Sequence, residues 1–249
     1  MFRLSILSLT LLTCLAGSPI AVHAAEATVA VATNFVQAAR VLAEGFGQQS
    51  GHRLKLVSGS TGKLYAQIRH GAPFDVLLAA DTIRPERLVA DGAALAGSRF
   101  TYAEGHLALI WAGGGAIGFN QLKEGDFRKL ALANPKLAPY GAAAEQVLRH
   151  EGLLERLRPQ LVFGENIGQA YTLVATGNAD AGMVALSQIM GLDVPPAFWL
   201  VPAEWHEPIR QDLVLLEHSK DNVAAAGFVD YLKTEAARQI IRDFGYATQ

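Results

Sequence analysis

The sequence predicts an α/β protein of two lobes, each a mostly parallel sheet flanked by helices, with a ligand cleft between them. Three observations predict it. Apolar strand-like runs alternate with helical patterns along the chain, which is the signature of parallel sheets with crossover helices. The alternation runs through once and then repeats in the middle section. The chain end supplies one more strand and helix, so the lobes are expected to be joined by crossing strands. The expected division is residues 25–105 plus 207–249 for the first lobe and 106–206 for the second.

The first 24 residues stand apart. Met1 is followed by Arg3, an apolar run from Leu4 to Ala16, and the small-residue signal Val22-His23-Ala24. This is a secretory signal peptide with its cut expected near Ala24/Ala25. The apolar core is too short for a comfortable membrane span. Cleavage would leave 225 residues and remove Cys14, the one cysteine, so the mature chain has neither disulfide nor thiol chemistry. It would leave 20 basic against 23 acidic side chains, a net charge of −3. That balance argues against nucleic acid, which asks for a basic patch. The expected product is an exported, soluble, periplasmic protein.

The mature chain opens with "ATVAVATNF", an apolar run with weak alternation, as in a strand buried on both faces. It ends at Thr33-Asn34, and Phe35, Ala39, Leu42 and Phe46 then set a helix from Phe35 to about Gln49. A second strand carries Leu54 and Leu56 into Ser58-Gly59-Ser60-Thr61-Gly62, and a helix is read from Lys63 to His70. "FDVLLAAD" is a third buried strand, after which Asp81 can cap the helix "TIRPERLVADGA". "HLALIWA" (106–112) is a longer strand, followed by Gly113-Gly114-Gly115. Beyond it come "KLALAN", the loop "PKLAPYG" and the helix "AAAEQVLRHEGLLERL". "LVFGENIGQAYTLVATGNADAGMVALSQI" and the strand-like "AFWLVP" complete the middle section. "QDLVLLEHS" is the last strand, before one helical pattern from Val223 to Arg242 that ends near Gly245.

The Ser/Thr loop resembles a phosphate-cradling P-loop only superficially. The Walker pattern needs Gly where Val57 stands and Ser or Thr where Leu64 follows Lys63. An esterase elbow needs Gly where Ser58 stands. What remains is a strand running into a helix start with small residues and hydroxyls, a place where free N–H groups can meet an anion. On this loop alone, capping by Ser60 or Thr61 is the simpler explanation. Ligands of open parallel sheets sit beyond the carboxyl ends of the strands. The turns to examine are therefore 33–34, 58–62, 134–141 and 164–168. Each is small or polar, and four helix N-termini aimed into one cleft could hold a dianion by neutral dipoles.

"VATNF", "GSTGKLYAQIRHGAPFDVLLAAD", "NPKLAPYGAAAEQVL" and "GENIGQAYTLVATGNADAGMV" resemble, in order and over nearly all of the mature chain, the periplasmic molybdate-binding proteins of ABC uptake systems. The resemblance implies a two-lobed periplasmic binding protein fold of type II, with molybdate or tungstate held as an oxyanion between the lobes. It implies hydroxyl and backbone N–H donors, no cofactor, no directly coordinated metal cation, no enzymatic activity, a monomer and a membrane permease as partner. Carried over by motif, the ligand-binding residues are Thr33 and Asn34, Ser60 and Thr61, with Thr61 the closer match of that pair. Tyr140 and Ile167 match positions that donate backbone N–H. Ala185 stands where some members carry a Tyr donor, so this chain is expected to lack that group.

Neutral donors suit anions whose oxygens only accept. Phosphate keeps a proton near neutral pH and wants a carboxylate acceptor, and the two N-terminal loops have no Asp or Glu. Glu165, near the fourth loop, is read as an exposed helix-start charge, and Lys63 as a solvent-facing helix residue. Sulfate or another tetrahedral oxyanion is the alternative ligand, separable by cavity size. An exported hydrolase is the alternative of another class. His23 leaves with the signal, and His52, His70, His106, His150, His206 and His218 form no metal-ligand spacing. Asp75 and Asp81 flank one strand but lie six apart. Arg69, Arg84 and Arg87, within or after helices, suggest no clamp for an organic carboxylate. Trp199 and Trp205 read as packing around a surface segment.

Overall fold

The computed structural model describes residues 24–113 and 118–248. The expected signal peptide, apart from Ala24, lies outside the described residues, as do 114–117.

Two five-stranded sheets organise the chain, and each repeats one plan. In the first, β1 (Glu26–Ala32), β2 (Arg53–Gly59) and β3 (Val76–Leu78) run parallel, with β1 in the middle. α1 (Val36–Ser50) connects β1 to β2, α2 (Thr61–Arg69) connects β2 to β3, and α3 (Ile83–Ala90) follows. β4 (Phe100–Gly105) lies at the far edge. The second sheet begins at β5 (Leu107–Trp111) and continues, after the short α4 (Asn120–Glu124), through β6 (Leu130–Ala133), α5 (Pro139–His150) and α6 (Leu154–Leu157). β7 (Leu161–Gly164), α7 (Ile167–Ala175), β8 (Ala181–Ala185), α8 (Leu186–Met190) and β9 (Phe198–Leu200) complete it. β10 (Ile209–Leu215) then returns to the first sheet, followed by α9 (Val223–Tyr231) and α10 (Glu235–Asp243). The strand orders are β2-β1-β3-β10-β4 and β7-β6-β8-β5-β9.

Each sheet thus has three parallel strands joined by crossover helices and two antiparallel strands beyond them. The antiparallel strands are the ones next to the crossings between lobes. β4 passes into β5 through His106, and β9 returns to β10 through 201–208, with Ile209 paired to Gly105. A chain that leaves a sheet and comes back beside its own exit must pair antiparallel.

The parallel strands are buried on both faces, as their apolar runs require. Val29 and Val31 of β1 enter one core cluster with Phe35, Leu42 and Phe228, while Ala30 faces Leu64, Leu77 and Leu88 on the other side. In the second sheet Leu130 and Leu132 point into one cluster and Ala131 into another. Ala32 and Ala80 of the first lobe join the main cluster of the second, so the lobes are in contact across the cleft.

Several elements differ from the sequence reading. α2 opens at Thr61 rather than Lys63, because Ser60 is its cap. The helix pattern 142–157 is two helices, broken where Gly152 takes φ +68°. The single C-terminal helix expected over Val223 to Arg242 is also two. Thr234 interrupts it, its Oγ1 donating to the Tyr231 carbonyl at 2.7 Å and accepting from the Ala237 N–H at 3.3 Å. β4 forms over Phe100–Gly105, where the sequence pattern predicts no strand.

Candidate functional site

Strand register builds the site. β1 and β2 end side by side at Ala32 and Gly59, which are register partners. β6 and β7 end side by side at Ala133 and Gly164, also partners. Each strand end feeds a helical start, so each lobe presents two neighbouring ones. The four starts are the 3₁₀ turn Thr33–Phe35 before α1, then α2, α5 and α7. The lobes face each other, and Thr33, Asn34, Ser60, Thr61, Tyr140 and Ile167 all line one small cavity between them. Ala32, Gly59, Ala80, Ala138, Pro139 and Asn166 fill its remaining wall. The room inside for a water-sized sphere's centre is about 10 Å³, the scale of one very small occupant. Pockets for drug-sized ligands run to roughly 300–1,000 Å³.

The donors are arranged for an acceptor. The N–H groups of Thr61, Tyr140 and Ile167, in the first turns of their helices, bond to no acceptor among the described residues. Pro139 at the first position of α5 contributes no N–H of its own, which leaves Tyr140 as the first donor of that helix. Ser60 and Thr61 are 3% and 1% exposed. Ser60 Oγ accepts from the Lys63 N–H at 3.4 Å, and Thr61 Oγ1 accepts from the Ala80 N–H at 3.1 Å. Both oxygens are used as acceptors, so both hydroxyl protons remain to be donated. Thr33 is different: its Oγ1 donates to the Gly59 carbonyl at 3.0 Å, and its proton must turn to serve a ligand.

Asn34 is the residue whose side chain is most fully committed elsewhere. Its Nδ2 donates to Gln211 Oε1 at 2.8 Å and to the Tyr246 hydroxyl at 3.0 Å. Tyr102 donates toward Gln211 Oε1 at 3.2 Å, and Gln211 Nε2 donates to the Tyr140 hydroxyl at 3.3 Å. Ser187 Oγ donates to the Asn34 carbonyl at 3.0 Å. Burial pushes the phenols of Tyr102, Tyr140 and Tyr246 well above their usual range, so all three stay neutral. This buried layer holds the first loop from behind. Sequence reasoning missed Gln211, Tyr246 and Ser187 because nothing local marks them.

Ala185 does not line the cavity and is fully buried. Its N–H donates to Gln188 Oε1 at 3.1 Å, and Gln188 Nε2 donates to the Ile167 carbonyl at 3.3 Å. The Gln188 side chain, three residues after Ala185, therefore steadies the start of α7.

Among the described residues, no charged side chain lines the cavity. Lys63 pairs with Glu165 across the cleft, a partnership the sequence did not reveal. Asp81 caps α3, accepting from the Arg84 N–H at 2.9 Å. Asp75 accepts from the Thr28 N–H at 2.6 Å and from Ser219 at 2.7 Å, so it ties the first lobe together and forms no pair with Asp81. A larger hollow of about 610 Å³ adjoins the cavity at Ala80 and Pro139. Two of its cations are already partnered, Arg84 with Asp81 and Arg210 with Glu104, and Glu207 is a further charge on its wall. No histidine lines the cavity, and no metal-binding group of three or more His, Cys, Asp or Glu occurs among the described residues. Trp199 and Trp205 pack with Phe119 away from the site.

Two lobes joined by crossing strands, closed on a small cavity of neutral donors, define the architecture of a solute-binding protein. The bacterial extracellular solute-binding protein family matches residues 27–247, and the chain belongs to that family. Its relatives are named as binding proteins. The chain is 48% identical to the molybdate-binding protein ModA of Azotobacter vinelandii, over 92% of each chain. It is 42% identical to ModA of Rhodobacter capsulatus, over 96% of this chain and 95% of that one. Among solved structures, the periplasmic molybdate-binding protein of Azotobacter vinelandii superposes with a TM-score of 0.85 at 40% identity, covering 90% of this chain and 99% of that one.

Proposed function

We propose that this protein captures molybdate, and tungstate with it, in the periplasm and delivers it to the membrane permease of an ABC transporter. One observation carries the reading: three unpartnered helix-start N–H groups and two free hydroxyl protons converge on a cavity that no charged side chain lines. A dianion in that cavity is stabilised by helix dipoles and charge-assisted hydrogen bonds. A ligand with a proton of its own would find no carboxylate to accept it, which disfavours phosphate. The identity to the ModA proteins supports molybdenum over sulfur as the central atom.

The residues we assign to the anion are Thr33, Ser60 and Thr61 through hydroxyls, Thr61, Tyr140 and Ile167 through N–H groups, and Asn34 through its loop. Molybdenum enters only as its oxyanion, with no resident cofactor. The lobes, taken as 25–105 plus 207–249 and 106–206, close by bending at the crossings near His106 and 201–208. The closed form is the one a permease would recognise, and the chain works as a monomer exported by the signal peptide 1–24.

Isothermal titration of the mature protein with molybdate, tungstate, sulfate and phosphate tests the reading. Tight one-to-one binding of molybdate and tungstate, with sulfate and phosphate far weaker, is the expected result. Equal binding of sulfate would make this a general oxyanion carrier, and no binding of any anion would end the proposal.

A further inference from the structure

We propose that Lys63 and Glu165 form a clasp across the mouth of the cleft that slows release of the bound anion. The inference rests on the oxyanion reading above. Lys63 stands in the first turn of α2 in one lobe, and Glu165 stands just before α7 in the other. Their side chains meet as an ion pair, 53% and 34% exposed. Neither lines the cavity, yet each lies next to residues that do, Lys63 close to Thr61 and Glu165 beside Asn166.

The pair does not act alone. The N–H of Gly62 donates to the Leu137 carbonyl of the other lobe at 2.9 Å. Arg84, oriented by Asp81, donates to the Lys136 carbonyl at 3.3 Å. A Cβ at Gly62 would stand 3.0 Å from that Leu137 oxygen and 3.2 Å from the Arg84 guanidinium, so the opposite lobe comes closer than most side chains would allow. The first turn of α2, with Arg84 of α3 beside it, is thereby held against two walls of the opposite lobe. The backbone bond and the Arg84 bond hold one wall, and the ion pair holds the other. All three join atoms of different lobes, and parting the lobes breaks them.

The charges also divide the work. Glu165 neutralises Lys63 at the mouth, so the anion itself meets only neutral donors. A half-exposed pair is screened by water, and its contribution is modest. Removing one partner is expected to speed release by about 2- to 5-fold while leaving the association rate near its starting value.

The test follows release of ⁹⁹Mo-labelled molybdate chased with excess unlabelled tungstate, for wild type, Lys63→Met, Glu165→Gln and the exchanged pair Lys63→Glu with Glu165→Lys. Both single variants should release faster with unchanged melting of the ligand-free protein, and the exchanged pair should recover slow release. Raising salt should speed wild-type release toward that of the variants. Tighter binding by Glu165→Gln would overturn the clasp, because it would mean that Lys63 attracts the anion directly. Unchanged release in both single variants would overturn it as well. Failure of wild type to bind any of the anions would remove the functional reading and the clasp together, whereas wild-type binding with unaltered variants removes the clasp alone.

Discussion

Replacing Gly168 by Ala should weaken anion binding without weakening the ligand-free protein. Gly168 is the second residue of α7, and a Cβ built on it would lie 2.5 Å from Thr33 Cγ2 and 3.1 Å from Asn166 Oδ1. Thr33 belongs to the opposite lobe, so the main overlap exists only when the lobes are closed. Within the helix itself alanine is the better residue, by up to about 1 kcal/mol, so local propensity works against any loss of fold. Forcing an extra methyl into a packed contact costs about 1–3 kcal/mol. Charged to the closed form alone, this lowers the population of the binding-competent state and raises Kd by about 5- to 150-fold. Titration calorimetry with molybdate reads the affinity, and thermal melting without ligand reads the fold. Unchanged affinity would refute the argument. So would a loss of affinity matched by a lower melting temperature of the ligand-free protein, since that would place the damage in the fold rather than in closure.

Thr61→Val keeps the side-chain shape but removes the donor, and a hydrogen bond to a charged ligand is worth about 1.5–3 kcal/mol, so molybdate affinity should fall by about 10- to 150-fold in calorimetry. The same change takes the acceptor from the Ala80 N–H, so the ligand-free protein should melt lower too, unlike the Gly168 variant. At high pH the buried phenols of Tyr102, Tyr140 and Tyr246 resist ionisation while unfolded tyrosines ionise near 10.0. Their contribution is complete below that pH and lost as pH rises above it, and Tyr246→Phe should flatten the alkaline limb of a denaturation series. At low pH the Arg128 guanidinium, with help from the backbone N–H groups of Arg128 and Lys129, holds the Asp180 carboxyl below its ordinary 3.8. That contribution is present above the ordinary value and lost as pH falls through the depressed one, and Asp180→Asn should flatten the acid limb.

The parallel strands and the helix starts were legible because their signals are local. An apolar run such as "VAVA" ending at Thr33, or "LKLV" ending at Ser58, carries both the strand and its stop in adjacent residues. The six candidate residues sit on such stops, and the register of β1 with β2 and of β6 with β7 brings them together. β4 was not legible, because "FTYAEG" becomes a strand only by pairing with β10, more than a hundred positions away. The break at Thr234 was hidden by an apolar pattern that continues through it, although Thr234-Glu235 is a cap signature. The layer of Gln211, Tyr246 and Ser187 behind Asn34 was unreadable for the same reason as β4. Its members come from remote segments, and only the folded chain shows that the Asn34 amide faces them. Lys63 and Glu165 each looked like a lone exposed charge, and closure of the lobes makes them a pair.

The central claim is that a dianion sits among helix-start N–H groups and hydroxyls with no charged group against it. A crystal structure of the protein with tungstate, the metal located by its anomalous scattering, tests that most directly. Tungsten is expected in the cavity bounded by Thr33, Ser60, Thr61, Tyr140 and Ile167, its oxygens within hydrogen-bond distance of the N–H groups of Thr61, Tyr140 and Ile167. Tungsten found elsewhere, for example in the larger hollow beside Arg84 and Arg210, or held by a lysine or arginine side chain, would contradict it.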